Sequence, residues 1–130
     1  TVTGRPASRL AIAPASAAVI AASIAGEPSP DTPVCPDSNG AALGADDLAA
    51  LLACAAHDAG LVNPAEITPL VLRHTYLAYL VRQGVRLSDL QTVVGDIPPT
   101  VLAAYAAFSP PGSGVSLDSV ERNYPALIMP

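Results

Sequence analysis

The 130-residue chain contains no lysine and no tryptophan, one phenylalanine, one methionine and two cysteines. Each shortage excludes something. Without lysine, positive charge rests on six arginines, set against eleven acids, for a net charge of −5. A nucleic-acid binder acting alone carries a basic surplus, so this balance argues against a strong grip on DNA by this segment by itself. Aromatics make up 4 % of the chain, which argues against an aromatic-rich β-sandwich. Cys35 and Cys54 are too few for a disulfide framework or a zinc site, and are read as a loop thiol and a small buried one. No metal and no cofactor are expected. The apolar stretches are broken by Ser, Gly or Pro before they reach the ~20 residues that a membrane span needs. The stretch 10–25 lacks the basic leader of a signal peptide. The chain is therefore read as soluble and cytoplasmic, with no membrane partner. It opens on Thr1 rather than Met, which suggests a trimmed chain or a piece of a larger protein.

What is present points to helices. Hydrophobic residues are 51 % of the chain, which excludes disorder by composition, and 25 residues are alanine. A core of Ala, Leu, Val and Ile favours small, closely packed helices, and the length fits one domain. Residues 1–13 read as a short β-hairpin around Gly4-Arg5-Pro6, its sheet completed by strands before Thr1. Residues 14–108 read as a helical core. Pro14 starts a helix that runs to Gly26. Residues 27–44, with four prolines, read as a loop. Asp46 and Asp47 open a helix with Leu48, Leu51, Leu52 and Ala55 on its apolar face, stopped by Gly60. His57, near its end, reads as a solvated or capping histidine. Thr68-Pro69 starts a helix that stops at Gly84. Leu87-Ser88-Asp89 starts another that ends at Gly95, and Pro98-Pro99 a third that runs through Tyr105 to Phe108. Residues 109–130 read as a flexible linker, a last short helix over 116–123 and an apolar end, Ala126 to Met129.

The informative stretch is 61–108. Leu72-Arg73-His74-Thr75, Gln83-Gly84-Val85, then Leu87, Leu90, Gln91 and Val93-Val94-Gly95, then Tyr105, follow one another with position 96 lying 23 residues after Arg73 and Tyr105 nine residues later. This resembles the C-terminal half of the tyrosine recombinase (phage integrase) catalytic domain, whose pattern is His-x-x-Arg-His, a helix ending in Gly-Val, a Gly-His step and the nucleophilic tyrosine. The resemblance implies a mainly α fold with a short N-terminal β-hairpin, and a cleft shared by Arg73 and Tyr105. It implies that Tyr105 attacks a DNA phosphodiester to form a 3′-phosphotyrosine, storing the bond energy for rejoining. Arg73 would clamp the phosphate oxygens as charge builds, and Arg5 stands roughly where the hairpin places a catalytic lysine. His74 takes a position that is commonly structural in the family. A second catalytic arginine would precede Thr1.

Three positions depart from the pattern. Leu70 replaces the first histidine, Asp96 replaces the second histidine or tryptophan, and Arg5 replaces the lysine. A carboxylate about 4 Å from a phosphate oxygen repels it by ~4 kcal/mol at an effective dielectric of 20. An arginine, with a pKa above about 12, cannot donate a proton near neutral pH. Two functions therefore stand side by side. One is a site-specific recombinase that acts on DNA through the full-length protein. The other is a catalytically inactive recombinase-like module that binds DNA or protein. A structural helical domain without a nucleic-acid role is the third. The resemblance also implies a homo-oligomer through the C-terminal tail, with Leu117, Val120 and Tyr124 as its apolar stripe, packed on its own chain or on a neighbour.

Overall fold

The structure is a computed structural model that describes residues 9–24, 26 and 29–125. Five α-helices are present among them: α1 (Pro14–Ser23), α2 (Ala45–Asp58), α3 (Pro69–Arg82), α4 (Leu90–Val94) and α5 (Pro99–Tyr105). Short 3₁₀ turns occupy Pro64–Glu66, Leu87–Asp89, Ala106–Phe108 and Leu117–Ser119. The chain divides into two compact units, Thr1–Ser16 with Tyr76–Pro130, and Ala17–Thr75.

The mainly helical expectation stands, but the N-terminal β-hairpin does not. No strand or sheet occurs among the described residues, which hold only two isolated bridges, Pro36 with Ala42 and Val85 with Val115. Residues 1–8, with the turn at Gly4 and Arg5, lie outside the described residues. The half that is described, Arg9–Ala13, makes a single backbone bond across to α4, from the Ala11 N–H to the Thr92 carbonyl at 2.6 Å. One bond is not a ladder, and a strand requires a run of them. Leu10 instead lies over Gly95, where a Cβ would come 3.9 Å from its Cδ2.

Helix punctuation follows from identifiable caps. The Thr68 hydroxyl accepts the Val71 N–H at 3.3 Å, and Pro69 fills the first helical position of α3. At the other end the Gly84 N–H reaches the Val81 carbonyl and the Val85 N–H the Leu80 carbonyl, a Schellman closure with Gly84 at φ +90°. The same closure ends α2 at Gly60, with Leu61 bonded to Ala56. At the start of α2, the Asp47 carboxylate accepts the Gly44 N–H at 3.3 Å. This is half of a capping box, since glycine has no side chain to return the bond.

The first unit holds the core. Leu77, Leu80, Val81, Val85, Leu90, Ile97, Tyr105 and Leu117 form one buried cluster. Leu77, Leu80 and Val81 face it together because positions three and four apart share one side of α3. The chain after α5 returns across this core as a strap. The Gly84 carbonyl accepts both the Gly114 N–H (2.7 Å) and the Val115 N–H (3.0 Å), and the Val115 carbonyl accepts the Arg86 N–H. The linker at 109–114 is thus a bonded turn rather than a flexible joint. The Asp89 carboxylate then accepts the Leu117 N–H at 3.1 Å.

The last helix expected over 116–123 is also absent beyond the turn at Leu117–Ser119. The backbone turns extended at Val120 (φ −121°, ψ 161°), and the Asn123 N–H, which a helix would give to the Ser119 carbonyl, goes to Glu121 Oε1 instead. Gln83, Tyr76 and Tyr79 donate from α3 to the carbonyls of Glu121 (2.7 Å), Arg122 (2.5 Å) and Asn123 (3.1 Å) respectively. Tyr124 closes edge-on against Tyr79, with ring centroids 5.1 Å apart. The Asn123 side chain accepts the Ala15 N–H at the start of α1. The tail therefore packs on its own chain as far as Pro125. The apolar end from Ala126 lies outside the described residues.

The second unit has almost no core. Ala56 is its one buried residue among those described. Its Pro-rich loop is more regular than expected: the Leu43 N–H bonds the Cys35 carbonyl, the Asp37 N–H bonds the Ala41 carbonyl, and Asp37 Oδ1 accepts the N–H groups of Asn39 and Ala41. Cys54 is exposed together with Cys35, because nothing in this unit covers that side of α2.

Two outcomes follow. Replacing Asp89 by Ala removes the acceptor of the buried Leu117 N–H and is expected to cost about 1–3 kcal/mol in urea unfolding, with Asp89→Asn recovering most of it. Equal losses in both variants would contradict the latch. The second outcome concerns alkali. Burial pushes the Tyr76 hydroxyl above its ordinary value, opposed by Arg122 and reinforced by Tyr79 and Glu121. The unfolded chain then loses this proton first, so stability is full below about pH 10 and falls as pH rises through the raised value. Tyr76→Phe should cost about 1 kcal/mol at neutral pH and reduce the alkaline fall. An unchanged alkaline slope in the variant would contradict this account.

Candidate functional site

Tyr105 closes α5 and is only 5 % exposed, inside the cluster that contains Leu80, Val85 and Leu117. Its position follows from the sequence. Pro98-Pro99 fixes the helix start, and positions 101, 102 and 105 share one helical side, which packs on the core. The adjoining turn puts the Phe108 ring 6.4 Å from the Tyr105 ring. The Arg82 guanidinium sits over the outer side of that neighbourhood, 5.2 Å from the Phe108 centroid. The sequence reading passed over this arginine. The available signal was its place in the last turn of α3, within one unit of aromatic residues that are scarce elsewhere.

The remaining candidates are distributed differently. Asp96 is exposed, in the same unit as Tyr105, between Gly95 at φ +77° and the buried Ile97. Arg73 and Leu70 are exposed on the first half of α3, which belongs to the other unit. Leu70 is 58 % exposed. His74 is exposed beside Arg73. Arg5 lies outside the described residues. His57 is exposed, its Nδ1 3.5 Å from Asp58 Oδ1.

Charge is as uneven as burial. The unit that holds Tyr105 carries five arginines against four acids. The other carries Arg73 against seven acids, a net charge of −6. The negative total of the chain therefore belongs to residues 17–75, whereas the unit that holds Tyr105 carries a net charge of +1. Arg73, in contrast, is the one arginine of the acidic unit, so a phosphate that reaches it meets net repulsion from the unit's acids. No set of three His, Cys, Asp or Glu side chains among the described residues is placed to hold a metal ion. No helix among them is long and apolar enough to cross a membrane.

Comparison of the chain with protein-family models, with curated proteins and with solved structures returns no match.

Proposed function

We propose that the chain is a DNA-associated domain of tyrosine-recombinase type, with Tyr105 as the attacking group and Arg73 as a phosphate clamp. One observation carries the reading. The residues of the resemblance fall on successive elements with matching breaks: Arg73 on α3, the stop at Gly84-Val85, α4 ending at Gly95, and α5 ending on Tyr105.

In this chemistry the Tyr105 oxygen bonds to phosphorus, the bond to the 5′ oxygen breaks, and the tyrosine loses its proton as the 5′ hydroxyl gains one. Arg73 stabilises charge on the non-bridging oxygens. Arg5 can add positive charge but cannot supply the leaving group's proton, which then comes from water. Burial sets the other condition. Withdrawing an aromatic side chain from a core costs roughly 1.5–3 kcal/mol, which lowers the reactive population by about 10- to 150-fold unless DNA or a partner compensates.

A second reading, association with DNA without cleavage, draws support from two observations. Tyr105 is held in the core, and Asp96 places a carboxylate where the family pattern has a histidine or tryptophan. The full-length protein with a nicked suicide substrate separates the two. A covalent adduct that disappears in Tyr105→Phe and falls by at least about a hundredfold in Arg73→Ala is the expected result for the recombinase. DNA retention without an adduct selects the non-cleaving module. Absence of retention even at low salt, where phosphate contacts are strongest, contradicts both.

A further inference from the structure

We propose that the acidic, apolar surface of the second unit docks a basic segment of another protein, one that carries leucine-like residues beside arginine or lysine. This inference does not rest on the recombinase reading. It starts from a deficit. A 14-residue helix is marginal in water without tertiary burial. Yet α2 buries only Ala56 and leaves Leu48 and Leu51 at 40 % and 55 % exposure. The turn after it exposes Leu61 and Val62, the latter at 93 %. Apolar area of this kind gains by being covered.

The surrounding charge selects the occupant. Residues 17–75 carry a net charge of −6, and the acids among the described ones are exposed apart from the half-buried Asp37. A second copy of the unit would bring the same charge against it. Nucleic acid and anionic lipid meet net repulsion from the acids around α2, the unit's one arginine, Arg73, lying on α3. A neutral apolar segment would cover the leucines but strip water from carboxylates without pairing them, at a cost. A segment with both apolar and basic residues meets both requirements.

The local shape agrees. An open depression of about 470 Å³ runs along α2, between Leu51 and Cys54 on the helix and Leu43 on the loop, with Asp37 and Asp47 in its lining. Asp37 Oδ1 and Asp47 Oδ2 are engaged by backbone N–H groups. The other oxygen of each carboxylate makes no hydrogen bond among the described residues. The aliphatic stem of an arginine or lysine suits the apolar lining while its charged end reaches a carboxylate.

The test uses the whole 130-residue chain, isotopically labelled, and a synthetic helical peptide with Leu on one side and Arg on the other. Amide shifts should concentrate in 37–62, and affinity should fall about tenfold between roughly 50 and 300 mM salt. The same peptide with Glu in place of Arg should not bind. Asp58→Lys combined with Glu66→Lys reduces the unit's net charge to −2 and should weaken the Arg peptide by about tenfold at low salt. That difference should shrink at high salt, a result that misfolding of the variant cannot imitate. Equal binding of both peptides would overturn the proposal, as would binding of neither. Protection of α2 by dimerisation of the chain, or by a DNA duplex, would overturn it as well.

Discussion

The first unit depends on the reversal of the chain at Gly84. The Schellman closure there stops α3, and the Gly84 carbonyl just beyond it receives two N–H groups from the returning strap, those of Gly114 and Val115. A Cβ at Gly84 would meet Ser113 and Val115 only at ordinary contact distances, 3.6 and 3.8 Å. The constraint is therefore conformational rather than steric. The φ of +90° is one that residues with side chains rarely adopt. From this point the strap passes Asp89, seats Leu117 in the core, and presents its carbonyls to Gln83, Tyr76 and Tyr79. Tyr105 is buried under the same arrangement, so local backbone geometry and the accessibility of the candidate nucleophile are linked.

The two units differ in what stabilises them. One has a contiguous apolar cluster with polar groups paired at its edge, and no buried side-chain polar atom among its described residues lacks a partner. The other has capped helices, a hydrogen-bonded loop and one buried alanine. Caps and turns each contribute only about 1 kcal/mol, whereas burying a leucine contributes about twice that. Stability should accordingly concentrate in residues 76–125. The same uneven division holds for charge: the acidic unit's net charge favours basic polypeptide and opposes phosphate everywhere but at its one arginine, Arg73.

Local signals made much of the fold legible in the sequence. Thr68-Pro69, Gly60, Gly84, Gly95 and Pro98-Pro99 each fix a backbone conformation without help from distant residues, and the helices begin or end beside them. The misreadings have a shared cause. Val2 and the run Arg9–Ala13 look strand-like in composition, but a strand is defined by its neighbour, and the described half finds only one bond on α4. Residues 116–123 carry a helical stripe, yet the backbone turns extended at Val120 and the tail is held by long-range bonds from α3 side chains. Cys54 reads as a small buried thiol by residue type, and the unit supplies nothing to bury it. Of the candidate site, residue types and spacing were legible at Arg73, Asp96 and Tyr105. The burial of Tyr105 and the stacking of Arg82 on Phe108 arise from long-range packing, and no local pattern encodes them.

Native-state hydrogen exchange tests the central claim, that the strap and α3 form the cooperative core while α2 does not. The amides of Val85, Val115 and Leu117 should exchange together at the slow rate of global unfolding. Those of Leu52 to Ala56 in α2 should exchange at least about a hundredfold faster, the equivalent of a local stability lower by ~3 kcal/mol. Equal protection in α2 and the strap, or a strap that exchanges as fast as an exposed loop, would contradict the account.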